Sequence, residues 1–321
     1  MIKKPTLILL VVAIALGVSV YFFDWKRSQN EKPPVDTSKP AFSVSASNIT
    51  SFTIAHPSQA GDVPIHFEKR NGNWWITQPI DTQADQSTAD GIVDQLAEDR
   101  VSQTEPGTED RRKAYGLDPP QASIEFDVQG GGKHTLLIGS KDFSGDSVYT
   151  VIDGAQSVAL LPQVIGESAG KPLQQLRDRS IVHLDAANLE RIEIHDSNGD
   201  IIVTSTKGKP DEWTIEAPAA QKGKLAPSWK LLDPFTSLQA NDVIDHPTSK
   251  LTALLASPAI RVIFTSTDGK QVTLRISKPS GDNLYAQASD SPALYTLSKQ
   301  SFDGLNLKPA DLASSDAGVN P

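Results

Sequence analysis

The most constraining feature of this sequence is that its second half repeats its first. The segment NWWITQP at residues 73–79 returns as EWTIEAP at residues 212–218, so that Trp213 follows Trp74 at a spacing of 139 residues. Five further matches occur in the same order, at spacings between 136 and 140 residues. Because a sequence repeat of this length normally marks a repeated structural unit, we expect two tandem modules of one fold.

Each copy of the repeat has the pattern of strands joined by tight turns. In the first copy, alternating polar and apolar residues flank Asn71–Gly72, a dipeptide that favours a hairpin turn. Between residues 84 and 99 the apolar side chains recur instead at helical spacing. We therefore predict an α+β fold in which residues 46–185 and 186–312 each form a mostly antiparallel sheet with one or two helices.

An apolar segment near the amino terminus predicts a membrane anchor. Residues 7–23, LILLVVAIALGVSVYFF, carry no charge and reach the short end of the length that crosses a bilayer. Lys3 and Lys4 precede them, which favours a cytoplasmic tail at residues 1–6. A cleaved signal peptide is the alternative, but the bulky aromatic residues that end the segment do not fit a small-residue cleavage site.

These features predict a single-pass protein of a bacterial inner membrane, with its body in the periplasm or outside the cell. A proline-rich tether at residues 24–45 would lift the modules off the bilayer, and residues 313–321 would form a flexible tail. The chain has no cysteine, which excludes disulfides, thiolate metal ligands and cysteine nucleophiles. Its formal net charge of -9 argues against nucleic acid as a partner.

The adjacent tryptophans of the first copy have different expected roles. Trp74 recurs as Trp213 at the same point of a strand, so we predict that both are core residues. Trp75 is replaced by Thr214 and would lie on the opposite face of its strand. Trp75 is therefore a candidate ligand or partner contact.

A second candidate contact is the densest basic run of the body, Arg111, Arg112 and Lys113. We predict a loop at these residues that could hold an acidic partner or lipid headgroups. The alternative is a solvated loop that anchors to the acidic helix of its own module, at residues 84–99.

One motif resembles a catalytic element. GESAG at residues 166–170 fits the G-x-S-x-G pattern, in which Ser168 would be a nucleophile on a strand-to-helix turn of a parallel sheet. An antiparallel sheet does not provide that turn, and the second copy has FDGLN in its place. No histidine pair has metal-ligand spacing, although His183 and His195 could meet near the module junction. We therefore predict no catalytic, cofactor or metal site.

Several motifs are similar to those of the bacterial DUF4340 family. They are W-x-I-x-x-P at residues 74–79, YGLDPP at 115–120, LLIG at 136–139 and LRDRSIVHLD at 176–185. The second copy lacks the YGLD and LRDR elements, so a site built on those exists once. The signature residues, which we expect to be mainly structural, are Trp74, Pro79, Tyr115, Gly116, Leu117, Asp118, Pro120, Arg177, Asp178, Trp213 and Pro218.

The resemblance implies a single-span envelope protein of a kind often associated with gliding-motility-type ABC transport systems. It transfers no catalytic residue, since none is established for the family. We therefore expect a non-enzymatic accessory or scaffolding component whose partners are an ABC permease or auxiliary subunits. A module that binds envelope glycan or peptidoglycan through Trp75 is the alternative, and a serine hydrolase using Ser168 comes third.

Overall fold

The computed structural model describes residues 39–196, 198–206 and 209–312. No helix in these ranges is long and apolar enough to cross a membrane. Four segments named above fall wholly or partly outside them: the cytoplasmic tail, the anchor, the tether and the C-terminal tail, at residues 1–6, 7–23, 24–45 and 313–321.

Two large antiparallel sheets make up most of the protein. The first half of the chain contributes β1 (Lys39–Pro40), β2 (Ile49–Ala55), β3 (Ile65–Arg70), β4 (Asn73–Gln78), β5 (Thr82–Gln83), β6 (Arg100–Val101), β7 (Gln103–Pro106), β8 (Ala122–Val128), β9 (Gly132–Lys141), β10 (Ser147–Ile152) and β11 (Ser157–Pro162). The second half contributes β12 (Leu189–Asp196), β13 (Gly199–Thr206), β14 (Lys209–Ala217), β15 (Leu225–Pro227), β16 (Asp242–Ile244), β17 (Ile260–Ser266), β18 (Gln271–Ile276), β19 (Asn283–Ala288) and β20 (Leu294–Ser298).

The two sheets have the same topology. The first has nine strands in the order β5-β4-β3-β2-β8-β9-β10-β11-β7, and the second has nine in the order β15-β14-β13-β12-β17-β18-β19-β20-β16. Every neighbouring pair in both sheets is antiparallel. Each strand of one sheet thus has a counterpart at the same place in the other. The prediction of an α+β fold with two similar, mostly antiparallel sheets is confirmed.

Short helices fill the connections. They are α1 (Gln86–Glu98), α2 (Glu109–Ala114), α3 (Gln163–Ala169), α4 (Leu173–Leu176), α5 (Ser228–Leu231), α6 (Asp233–Thr236), α7 (Ser249–Thr252), α8 (Ser301–Leu305) and α9 (Pro309–Leu312), with 3-10 turns at Ala46–Asn48, Ala186–Asn188, Ala219–Gln221 and Ala253–Leu255. The sequence predicted one or two helices per module, whereas the described residues contain four in the first half and five in the second. Most of the additional helices have one or two turns, too few for a helical period to stand out in a sequence.

Helix α1 covers one face of the first sheet. The Asp85 side chain caps its start by accepting a hydrogen bond from the Thr88 amide at 2.8 Å. Ala89, Ile92 and Leu96 are buried on the side that faces the core. The second module has the interrupted pair α5 and α6 at the corresponding position in the chain.

Each sheet has its own hydrophobic core. Phe52 stacks on Phe67 in the first core, with ring centroids 4.2 Å apart. Trp74 packs edge-to-face against the Phe52 ring. The chain joins the second core at Ile181 and Val182, a few residues before the module boundary that the sequence placed at 185/186.

The last part of the predicted tether is packed against the first module. Residues 39 and 40 form β1, which pairs with β6. Phe42 is buried, with its ring edge against Phe126 at 4.9 Å between centroids. Burial of this one aromatic side chain fixes the point at which the chain enters the fold.

Asp99, just beyond the end of α1, is held where a carboxylate is disfavoured. Burial, and then the negative charge of Glu98, raise its pKa from 3.8 to about 6. Its Oδ2 atom has no hydrogen-bond partner in the described part of the chain. The negative end of the helix dipole disfavours the ionised form further.

We expect Asp99→Asn to stabilise the protein by about 1 kcal/mol at about pH 8. The folded protein holds the proton of the Asp99 carboxyl more tightly than the unfolded chain does. The stability contributed by protonated Asp99 is therefore lost as pH rises from about 4 to about 6. Without screening by solvent, this rise in the pKa of Asp99 would correspond to about 3 kcal/mol of stability. Partial exposure of the side chain to solvent reduces that value. Urea unfolding at about pH 4.5 and about pH 8 measures the difference.

Asp94→Asn on the exposed face of the same helix is the matched control for this prediction. A gain from Asp99→Asn that is as large at the lower pH as at the higher one would contradict it.

Candidate functional site

The repeated tryptophans are core residues in both modules. Trp74 and Trp213 are fully buried, which agrees with the role expected for them. The Trp74 indole Nε1 donates to Asp90 Oδ1 at 2.9 Å, whereas the Trp213 Nε1 has no hydrogen-bond partner among the described residues. Pro79 and Pro218 follow their strands, and both peptide bonds that precede them are cis.

Trp75, the candidate contact, is only partly exposed. It lies on the other face of β4, as its position next to Trp74 requires. The Arg70 guanidinium lies over its ring, 5.5 Å from the centroid, and Arg70 is itself paired with Asp81 at 2.8 Å. The module thus covers part of the ring that a ligand would need.

The basic run lies on a helix and not on the loop that was predicted. Arg111, Arg112 and Lys113 form the last turn of α2, while acidic residues occupy its first turn. This charge order favours a helix because it complements the helix dipole.

The three basic side chains contact their own module. Arg112 donates to the carbonyl oxygens of Gly107 at 3.1 Å and Ala155 at 2.7 Å. Arg111 lies 3.6 Å from Glu105 and Lys113 lies 2.6 Å from Glu109. These contacts lie within the module, but the acidic partners are on β7 and α2 and not on the acidic helix α1 that the alternative named.

The YGLDPP motif attaches the connection before β8 to the sheet. Tyr115 stacks on Tyr149 with ring centroids 3.8 Å apart, and its hydroxyl donates to Glu105 at 2.7 Å. Its carbonyl accepts from the amide and the hydroxyl of Ser140, at 2.8 and 2.9 Å. A Cβ atom at Gly139 would lie 2.2 Å from the same carbonyl, so the LLIG glycine is required for this close approach.

The rest of that motif forms the turn. Gly116 has a positive φ of 65°, Leu117 is buried beside Val151 and Val158, and an isolated bridge joins Leu117 to Pro120. Asp118 precedes a cis proline within the turn.

The LRDR motif lies between the two modules. We call residues 174–180 the clasp segment. Arg177 forms a bridge with Ala84 beside the edge strand β5 of the first sheet, and Ser180 forms one with Gln239 before the edge strand β16 of the second. The amide of Ala240 also donates to the carbonyl of Arg179 at 2.8 Å. The clasp segment is therefore hydrogen-bonded to both halves of the chain.

Arg177 is the centre of this junction. Its side chain is only 4% exposed, and its two terminal nitrogens each lie 2.8 Å from an oxygen of Asp245 in the second module. One of them also contacts the Thr82 hydroxyl of β5 at 3.4 Å. A two-point guanidinium–carboxylate pair fixes both distance and orientation, which a lysine could not do.

Asp178 forms the second ionic contact of the clasp segment. Burial alone would raise its pKa, but hydrogen bonds from His183 and Ser180 hold the pKa below its ordinary value. The hydrogen bond to Asp178, 2.8 Å long, raises the pKa of His183 in turn. This pair holds the chain in a fixed turn as it enters the second core.

A small cavity lies at one end of the first module. It has a volume of about 200 Å³, and its walls include His56, Lys141, Gly166 and Glu167 together with the signature residue Gly139. Lys141 is neutralised there by Glu167 at 2.9 Å. Both ring nitrogens of His56 are already used, one within 3.0 Å of Asp62 Oδ1 and the other within 2.8 Å of the Ala169 carbonyl.

Ser168 does not lie in a nucleophile elbow. It is buried in the short helix α3, which follows an antiparallel strand.

His183 and His195 do not meet, because His195 pairs with Asp200 and Glu193 while His183 pairs with Asp178. No group of three or more potential metal ligands occurs among the described residues.

Sequence reasoning missed Trp229. It is 61% exposed on α5 and lines a groove of about 670 Å³ between α5, α6 and α9. Asp233, Asp303 and Asn306 line the same groove. The signal was available, since Leu231, Leu232 and Phe235 mark the buried side of this segment and Trp229 falls well away from it at helical spacing.

The comparisons with known proteins give one family and no close relative. The family described as "Domain of unknown function (DUF4340)" matches residues 74–258, more than half of the chain. No curated protein and no solved structure matches the sequence. The match begins at the buried Trp74 and includes the YGLDPP motif and the clasp segment. The chain belongs to the DUF4340 family.

Proposed function

We propose that this protein is a non-enzymatic scaffold, anchored in the inner membrane through residues 7–23 and acting outside the cytoplasm as an accessory component of an ABC-type envelope transport complex. The observation that carries the proposal is the junction between Arg177 and Asp245. A signature residue there fixes the relative placement of two repeated modules, which a scaffold needs in order to present separate surfaces to its partners.

The YGLDPP motif supports the same proposal. Its residues attach a connection to the sheet through the contacts of Tyr115 with Ser140 and Gly139, and the Tyr115 hydroxyl donates to Glu105 within the same module. The association with transport systems that the resemblance implies supports an ABC permease or its auxiliary subunits as the proposed class of partner.

Purification of the full-length protein from its own membranes in mild detergent tests the proposal. We expect an ABC permease and its ATPase to be recovered in stoichiometric amounts and identified by mass spectrometry. A partner-free protein, obtained from membranes that do contain such a transporter, would contradict it. Ser168→Ala should leave every activity of the recovered complex unchanged, whereas it would abolish the activity of a serine hydrolase.

Binding of envelope glycan is the second candidate, and the groove at Trp229 is the observation that favours it. A largely exposed indole beside three carboxylates, two lysines and an amide offers a sugar both a stacking face and hydrogen-bond partners. Trp75 is the poorer platform because its side chain is less exposed than that of Trp229; a cation lies 5.5 Å from the ring centroid in both cases, Arg70 over Trp75 and Lys230 over Trp229.

For this second candidate we expect Trp229→Ala to weaken retention on immobilised peptidoglycan about tenfold, the order of one lost stacking contact. Trp75→Ala is the matched control and should change retention little. Equal retention of both variants and the unaltered protein would remove the glycan candidate.

A further inference from the structure

The repeat provides an internal control for finding surfaces that the fold does not need. Where both modules share a feature, folding explains it. Where only one has it, and the side chain is not buried, another explanation is required.

The hairpin between β9 and β10 has such a feature. It reads KDFSGDS from Lys141, and its counterpart between β18 and β19 reads KPSGDN from Lys278. The glycines of both turns have a positive φ, 81° at Gly145 and 66° at Gly281. The first hairpin differs by one additional residue, and the side chain at its tip is Phe143.

Phe143 is fully exposed, at 101% of its reference area. The turn that carries it is nevertheless well fixed. Asp142 Oδ1 accepts from the amides of Gly145 at 2.9 Å and Ser147 at 3.2 Å, and the Ser144 hydroxyl donates to the same carboxylate. A fixed turn that holds a large apolar side chain in water gains nothing for folding.

Two more exposed apolar side chains lie at the same end of the module. Val164 is on α3, whose first amide donates to the Asp146 carbonyl of the hairpin at 3.0 Å. Val63 is in the connection between β2 and β3, which His56 fastens to the last residue of α3. We call Phe143, Val164 and Val63 the apical face.

Among its described residues, the second module has no equivalent of this face. Its strands β12 and β13 pair directly up to Asp196 and Gly199, so the longer connection that carries Val63 is absent. The cross-strand pair Tyr149 and Leu160 in the first module corresponds to the pair Tyr285 and Thr296 in the second. Val164 lies four residues after Leu160, so its counterpart is Gln300, four residues after Thr296. Of the five large hydrophobic side chains exposed among the described residues, three belong to the apical face.

The charges beside the apical face indicate what binds there. Lys141 is neutralised by Glu167 at 2.9 Å, which leaves Asp142 and Asp146 as the charges of the hairpin. A negative tip is repelled by the anionic surface of a bacterial membrane. An apolar pocket rimmed by basic side chains complements it in both shape and charge.

We propose that the apical face is a docking site for a different polypeptide, in which Phe143 enters an apolar pocket rimmed by basic side chains. This inference rests on the proposed scaffold function and identifies the contact through which the scaffold holds its partner. Phe143 is the anchor, and Val164 and Val63 exclude water around it.

Site-specific photo-crosslinking in cells tests the docking site. The full-length protein carries p-benzoyl-phenylalanine at position 143, at position 164 or, as the matched control, at position 280 on the other hairpin. We expect one polypeptide, the same from 143 and 164 and absent from 280. A product of twice the protein's own mass, an adduct with lipid, equal crosslinking from position 280, or no product would each overturn the proposal.

The affinity for the crosslinked polypeptide then tests the contribution of Phe143 to binding. With the crosslinked polypeptide purified, Phe143→Ser should weaken its binding by about 30-fold or more, as expected for an aromatic anchor. The thermal midpoint should stay unchanged because Phe143 is fully exposed. Binding within about threefold of the unaltered protein would overturn the anchor role.

The two proposals fail differently. If the detergent-purified complex is intact in Phe143→Ser and position 143 gives no crosslink, the docking site is wrong and the scaffold proposal stands. If no partner is recovered with the unaltered protein either, both proposals fall.

Discussion

Replacing Arg177 with methionine should lower the free energy of unfolding by about 3 kcal/mol. The change removes a buried guanidinium and leaves the Asp245 carboxylate without either of its 2.8 Å contacts. Loss of one partner of a buried ion pair costs about 3–5 kcal/mol, and the lower end applies because Asp245 is about one-third exposed. Urea unfolding of the full-length protein measures the loss.

The double variant Arg177→Met with Asp245→Leu separates the two parts of this effect. Because it removes both charges together, it should recover most of the lost stability. It should not recover the fixed orientation of the modules, which small-angle X-ray scattering would detect as a broader distribution of interatomic distances. An unchanged unfolding midpoint for Arg177→Met alone would show that the junction is not held by this pair.

Trp74→Ala should be at least as damaging, at about 4 kcal/mol. The largest buried side chain of the first core is then lost, together with the hydrogen bond from its indole to Asp90. Chemical unfolding monitored separately for the two modules should show that the loss of stability falls on the first module.

The repeat supplies a matched comparison for this prediction. Trp74→Phe removes a satisfied hydrogen bond, whereas Trp213→Phe removes a buried donor that has no described partner. We expect Trp74→Phe to cost about 2 kcal/mol and Trp213→Phe about 1 kcal/mol, since an unsatisfied buried group is itself a penalty. Equal losses would contradict the difference in hydrogen bonding between the two sites.

Local patterns made the fold predictable. The recurrence of Trp74 as Trp213 indicated two copies, and alternation with hairpin turns indicated antiparallel sheets. The short helices were not predictable in this way. Helix α2 was taken for a loop because six residues span fewer than two turns, although its acidic start and basic end were visible.

The candidate sites depended on distant residues and were harder to predict. Arg177 was recognisable as a signature residue, but its partner lies 68 residues away in the other module. Phe143 could have been found by aligning the two copies, since the spacing of the repeat changes by one residue at that hairpin. The cavity beside Gly139 could not, because its walls come from separate strands, a helix and a connection.

The clasp segment also bears on how a chain with two similar sheets avoids associating with itself. An unpaired strand at the margin of a sheet can accept a strand from another molecule and begin aggregation. Residues 174–180 are hydrogen-bonded beside β5 in one sheet and to β16 in the other, through Ala84 and Val243. A single connection thus covers one edge of each sheet. This lowers the risk that strands are exchanged between the repeats of neighbouring molecules as they fold.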